Sequence, residues 1–162
     1  HMARVYTELH GLPTVCLRYF TVYGPRMRPN MAITNFVSRC LHGEPPVVYG
    51  DGSQTRDFIH IADLVGAIRQ SAEQPDIGGE TFQIATAQET TVGEMTDALV
   101  AVMQAEGLKP PEVFNGASRT GDVARNYSDT TKAAEQLGWR AEVGLQDGLR
   151  RTLRYFLNYK EQ

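Results

Sequence analysis

Apolar residues fall at helical spacing over several stretches of the chain, and short β-rich runs lie between them. Val5, Tyr6 and Leu9 place residues 3–10 on a helix that Gly11 stops. A buried strand is expected over Pro13 to Phe20, broken by Tyr23-Gly24-Pro25. Asn30 is the expected cap of a helix from about Met31 to Leu41, with Ile33, Phe36, Val37 and Cys40 on one face. Val47 to Tyr49 follows as a short strand, then the tight turn Gly50-Asp51-Gly52. Further on, helix is expected over 63–73, strand over 81–85, and helix from the Thr91/Glu94 capping box to about Ala105. A strand at 112–114, an Asp129-capped helix ending at Leu137-Gly138, and a helix from about Leu145 to Leu157 burying Leu149, Leu153 and Phe156 complete the pattern. The class is α/β and helix-rich, with strands too few and scattered for a complete doubly wound sheet.

Composition narrows the function classes. The 162 residues are 41% hydrophobic and 22% charged, with a net charge of -3. That balance offers no basic field for nucleic acid. No apolar run approaches the ~20 residues needed to span a bilayer, and no leader pattern opens the chain. Cys16 and Cys40 lie among apolar residues without metal-ligand spacing, so they read as buried thiols in a reducing, cytoplasmic setting, with no metal site. His1-Met2 is expected to be a tag remnant, and a helix starting directly after it suggests a chain cut within an element.

Three segments carry more than pattern. Leu17-Arg18-Tyr19-Phe20-Thr21-Val22-Tyr23-Gly24-Pro25 is the first, and Gly50-Asp51-Gly52-Ser53-Gln54-Thr55-Arg56-Asp57-Phe58-Ile59-His60-Ile61-Ala62-Asp63 the second. The third is Arg119-Thr120-Gly121-Asp122-Val123, followed by Leu137-Gly138-Trp139 and Gly148-Leu149. In order and spacing they resemble the C-terminal half of the extended short-chain dehydrogenase/reductase family, its NAD-dependent epimerase/dehydratase group. Within that group the resemblance is closest to UDP-glucose 4-epimerases and UDP-glucuronate 4-epimerases, and it covers Ala3 to Tyr159.

The resemblance implies a substrate-binding domain over residues 3–162, with 3–22 and about 80–90 as remnant strands of an incomplete Rossmann sheet. It places Arg56 and Arg119 on a diphosphate, as suits planar guanidinium forks. It places Asp122 on the ribose hydroxyls, Asn30 and Met31 at the loop-to-helix position that meets the phosphates, and Val48 and Tyr49 along the base. Tyr19 and Phe20 would face the nicotinamide of NAD, and Thr21 the sugar, where many relatives carry Asn. Plainer readings stand beside these. Asp122 could pair with Arg119 or Arg125, Asn30 could be only a cap, and Val48-Tyr49 only an exposed strand. Phe58 is expected to pack, Asp57 to order its own turn, and His60 to sit near the next helix N-terminus.

Two features of the family are missing. No glycine-rich loop lies between a strand and a helix. No Tyr-x-x-x-Lys pair exists, since Ala105, Ser128 and Phe156 stand four residues before Lys109, Lys132 and Lys160. The expectation is the UDP-hexose-binding part of an NAD-dependent 4-epimerase, inactive alone, with no catalytic residue and no tight NAD binding by itself. The alternatives are a free-standing nucleotide-sugar-binding or interaction module and a fragment of a sugar-nucleotide 4,6-dehydratase. Exposed sheet edges are expected to promote self-association.

Overall fold

The computed structural model describes residues 1–160, so the last two residues of the expected domain lie outside the described ones. The element order is α1 (Met2–His10), β1 (Cys16–Tyr19), β2 (Thr21–Tyr23), α2 (Ala32–Leu41), β3 (Val47–Tyr49), β4 (Thr55–Arg56), β5 (Phe58–His60) and α3 (Ile61–Glu73). Then come β6 (Thr81–Ile84), β7 (Thr90–Thr91), α4 (Val92–Ala105), β8 (Phe114–Gly116), α5 (Thr131–Gln136) and α6 (Leu145–Lys160). The strands form four separate pairs. β1–β6, β2–β5 and β3–β8 are parallel, and β4–β7 is antiparallel.

Several expectations change. The strand expected over 13–20 splits, because β1 takes β6 as partner while β2, directly after Phe20, pairs with β5. The strand expected at 112–114 is displaced to Phe114–Gly116, where Phe114 N–H finds the Pro46 carbonyl at 2.9 Å. Asn30 does not cap α2; Met31 occupies the cap position and no side chain caps it. Asp129 serves the start of α5 from one residue outside the cap position. Thr130 takes that position, and the Asp129 carboxylate accepts from the Thr131 N–H and hydroxyl just inside the helix. Asp57 is buried, but it orders a distant loop rather than its own turn, accepting from the Thr86 N–H and hydroxyl at 2.7 Å each. Cys16, Cys40 and Phe156 are half-buried rather than buried, and burial pushes the Cys40 thiol up from its ordinary pKa.

Two apolar clusters hold the elements together. One gathers Ile33, Phe36 and Val37 of α2, Met95, Leu99, Val102 and Met103 of α4, and Leu149 and Leu153 of α6 around Tyr23, Val48 and Phe58. The other joins Phe82 and Ile84 of β6 to Ile59, Leu64, Ala67, Ile77, Ala133, Leu137 and Trp139. Trp139 Nε1 donates to the Asp63 carbonyl at 3.1 Å, so the indole is buried with its polar atom satisfied. The capping box expected at α4 is present, with Thr91 and Glu94 bonding each other's backbone N–H. On α1, by contrast, Met2, Val5, Tyr6 and Leu9 face solvent. No helix among the described residues is long and apolar enough to cross a membrane.

His60 caps α3: its Nδ1 accepts from the Ala62 N–H at 3.2 Å, which leaves the ring proton on Nε2. Burial, with help from Arg151, holds its pKa below the ordinary 6.5. The unfolded chain therefore takes up the proton first. This contribution to stability is complete above about pH 6.5 and is lost as pH falls below that value toward the folded pKa. The melting temperature is expected to drop between pH 7.5 and 5.5, with a shallower slope in His60→Asn, which keeps a cap acceptor that does not titrate.

Candidate functional site

A cavity of about 360 Å³ lies beside the first apolar cluster. Its walls come from four parts of the chain. The entry and first turns of α2 form one side and β3 another. Thr21 and Phe58, paired across β2 and β5, form the inner end. The segment 117–130, a strap between β8 and α5, brings Arg119 and Asp122.

The strap is held by Arg56. Its Nη1 donates to the Val123 carbonyl at 2.6 Å and to the Thr55 carbonyl at 2.7 Å, and its Nη2 to Asp122 Oδ1 at 2.5 Å. Asp122 thus pairs with Arg56, not with Arg119 or Arg125. Arg125 makes a two-pronged contact with Glu89, and Thr55 Oγ1 donates to the same carboxylate. Those bonds hold the Glu89 pKa down to about 2. Arg119 makes no such pair among the described residues. Its guanidinium lies over the Tyr49 ring, 3.6 Å from the centroid, at the cavity rim.

Two more donors face the same space. The first-turn N–H groups of α2 lack intrahelical partners, and no side chain caps them. β3 uses Pro46 and Gly50 at the ends of its ladder to β8, through Phe114 N–H to Pro46 O and Gly50 N–H to Gly116 O. The peptide groups of Val47 and Tyr49 therefore turn to the opposite edge, where Gln54 Nε2 donates to the Tyr49 carbonyl at 2.9 Å. Two guanidinium groups and a helix N-terminus against one carboxylate make a site suited to an anion.

Thr21, Asn30, Met31, Val48, Tyr49, Arg56, Arg119 and Asp122 all line this cavity. Tyr19 and Phe20 do not; Tyr19, exposed, ends β1, and Phe20, half-buried, follows it. Met27, Asn35, Phe36, Gln54 and Val92 also line it, and sequence reasoning did not single them out. The helical period could have found Asn35, since it repeats Met31 one turn on. Phe58 does both jobs, packing in the core and closing the inner end.

Residues 1–152 match the family model described as GDP-mannose 4,6 dehydratase. The chain belongs to that family. A putative UDP-glucose 4-epimerase of Methanocaldococcus jannaschii, also of this extended short-chain dehydrogenase/reductase group, is 33% identical over 96% of the chain and 49% of its own length. The UDP-glucose 4-epimerase of Thermotoga maritima, solved with UDP-glucose, superimposes with a TM-score of 0.87 at 34% identity, covering 96% of this chain and 50% of that one. The Bacillus cereus UDP-glucuronic acid 4-epimerase, in complex with UDP-glucuronic acid and NAD, gives 0.87 at 31%, covering 98% and 50%. The chain thus spans about half the length of these relatives, and its mixed α/β fold of short strand pairs matches the C-terminal half of the family's epimerases.

The loop from β2 to α2 contains one glycine, as does that from β8 to α5, and β5 and β7 run directly into their helices, so no strand-to-helix turn among the described residues carries the glycine-rich nest of a dinucleotide pyrophosphate. Nor does any group of His, Cys, Asp and Glu among them form a metal site.

Proposed function

We propose that this chain is the nucleotide-sugar-binding half of an NAD-dependent UDP-sugar 4-epimerase, inactive without the dinucleotide-binding half. The observation that carries the reading is the convergence of eight side chains, drawn from segments far apart in sequence, on one cavity. In this reading Arg56, Arg119 and the first turn of α2 hold the diphosphate, with Asn30 and Met31 at the helix entry. Asp122 accepts from the ribose hydroxyls, and β3 at Val48 and Tyr49 lies along the base, with the Val47 and Tyr49 peptide groups on its free edge. Thr21 faces the sugar, near Tyr19 and Phe20, which would border the nicotinamide. In a full-length enzyme, NAD would supply the hydride acceptor, while this chain's residues bind and orient the sugar nucleotide. β1 and β6 would continue the dinucleotide-binding sheet.

Arriving diphosphate would compete with Asp122 for Arg56. Its two phosphates offer more charge than one carboxylate, so the exchange favours the ligand. Calorimetric titration of the purified chain with UDP and UDP-glucose is expected to give saturable, one-site binding. Absence of binding by a chain whose circular dichroism shows the native helix content would overturn the reading.

A further inference from the structure

The strap 117–130 joins β8 to α5 without helix or strand. Connections of that length inside compact domains are uncommon and are usually functional or disordered. Every residue from 117 to 125 is exposed, so neither apolar cluster anchors this stretch. What holds it is polar.

Its two ends are fixed. At Gly116 the chain is still in the β8 ladder, where the carbonyl accepts from the Gly50 N–H at 2.9 Å. At Ala124 the carbonyl accepts from the Thr55 N–H at 2.8 Å, and Arg125 grips both oxygens of Glu89 at 2.7 Å. Glu89 is a firm base. It stands next to β7, whose Thr90 pairs with Arg56 of β4, and three residues after Thr86, which the buried Asp57 holds. Between these ends, 117–123 is held to the body by the stack of Arg119 on Tyr49 and by Arg56 reaching Asp122 and Val123. Its tip is a turn from Arg119 to Asp122, closed by the Asp122 N–H on the Arg119 carbonyl at 3.3 Å, with Gly121 at a φ of +83° in open space. The two residues that the strap brings to the cavity are the first and last of that turn.

A ligand would not treat these ties alike. On the nucleotide-sugar reading of the cavity, on which the lid described next depends, phosphate takes Arg56 from Asp122 and engages Arg119, so the tip changes partners as the site fills. Glu89 and Arg125 line no part of the cavity. We propose that residues 117–123 are a lid on the nucleotide site and that the Glu89–Arg125 pair sets how readily it opens. A ligand gripped by α2 and β3 on one side and by the lid on the other enters and leaves when the lid lifts. The Glu89–Arg125 pair touches neither the ligand nor the groups that hold it, so weakening the pair opens the empty and the filled site alike. Entry and exit then quicken by the same factor, and the affinity, which is their ratio, does not move.

The test compares wild type with Glu89→Gln and Arg125→Gln, each of which removes one charge of the pair and keeps an amide for hydrogen bonding. Phosphorus NMR line shapes across a titration with UDP give both rate constants, and calorimetry gives the dissociation constant. Both variants are expected to bind and release UDP roughly three- to fivefold faster, the weight of an exposed ion pair, with the dissociation constant held within about twofold. Without ligand, amide hydrogen exchange at Thr55, whose N–H meets the strap at Ala124, should quicken in both variants. Faster release with unchanged entry, and so weaker binding, would make the segment a fixed wall and overturn the lid. Wild-type rates and wild-type exchange in both variants would overturn it as well and leave the nucleotide site standing. No binding of UDP by any of the folded proteins would overturn the lid together with the nucleotide reading.

Discussion

Arg56→Ala is expected to weaken UDP binding by about 100-fold or more, through two losses at once. The direct loss is a charged hydrogen-bond partner for the diphosphate, worth roughly 1.5–3 kcal/mol. The indirect one follows from the contacts to Val123 and Asp122, which tie the strap to β4. Without Arg56, the strap that carries Arg119 keeps Thr55 N–H to the Ala124 carbonyl at 2.8 Å, Arg125 to Glu89 and the stack of Arg119 itself on Tyr49. Arg119 would then be less fixed at the rim, so both cations of the site suffer from one substitution. Arg56→Lys should recover little, because a single ammonium cannot reproduce a planar fork that serves three acceptors. Asp122→Ala should cost less, since it removes a ribose contact but also frees Arg56 for phosphate. Calorimetry on the three variants checks the order, and an Arg56→Ala protein that binds UDP as wild type does would exclude Arg56 from the clamp.

Gly148→Val is expected to be the most damaging single change to stability, at about 3 kcal/mol or more, the upper end of overpacking costs. A Cβ at Gly148 would lie 2.1 Å from Tyr23 Oη and 2.8 Å from Cζ. The tyrosine cannot step aside easily. It is 1% exposed, packs edge-on against Phe58 and His60, and donates to the Leu145 carbonyl at 3.4 Å. Burial also pushes its hydroxyl pKa up, so it stays a neutral donor. Glycine inside a helix costs up to about 1 kcal/mol relative to alanine, and here α6 carries that cost in order to approach β2 closely. Urea denaturation measures the effect. Adding Tyr23→Phe should restore part of the loss, because the nearest clashing atom is the hydroxyl. If Gly148→Ala instead stabilises the chain by its helix propensity, the contact between α6 and Tyr23 is looser than described.

The long helices were legible because burial leaves a 3.6-residue period, as at Ile33, Phe36 and Val37 of α2. β4 and β7 were not, since a strand of two residues has no period to detect. β2 and β5 failed for a related reason. Their strand character lies in pairing Thr21 with Phe58 and Tyr23 with His60, which no local window contains. Asn30 and Asp129 looked like caps because their residue type favours that role, yet the chain placed Met31 and Thr130 there. At the site, motif spacing identified residues that turned out to share a cavity. It did not foresee that Arg56 would hold Asp122, because a motif records which residues occur together and not which atoms meet.

The four strand pairs also govern how the molecule comes to exist. None joins neighbours in sequence; β1 waits for β6, β2 for β5, β3 for β8 and β4 for β7. Each pairing must close a long loop before its bonds offset the entropy lost. Chains built this way fold slowly, over milliseconds to seconds rather than microseconds. The helices can form early from local contacts, but a cavity walled by Thr21, Tyr49, Val92 and Asp122 has no existence in any fragment of that process. It arrives with the last pairings, so its walls meet only once the non-local pairs have closed.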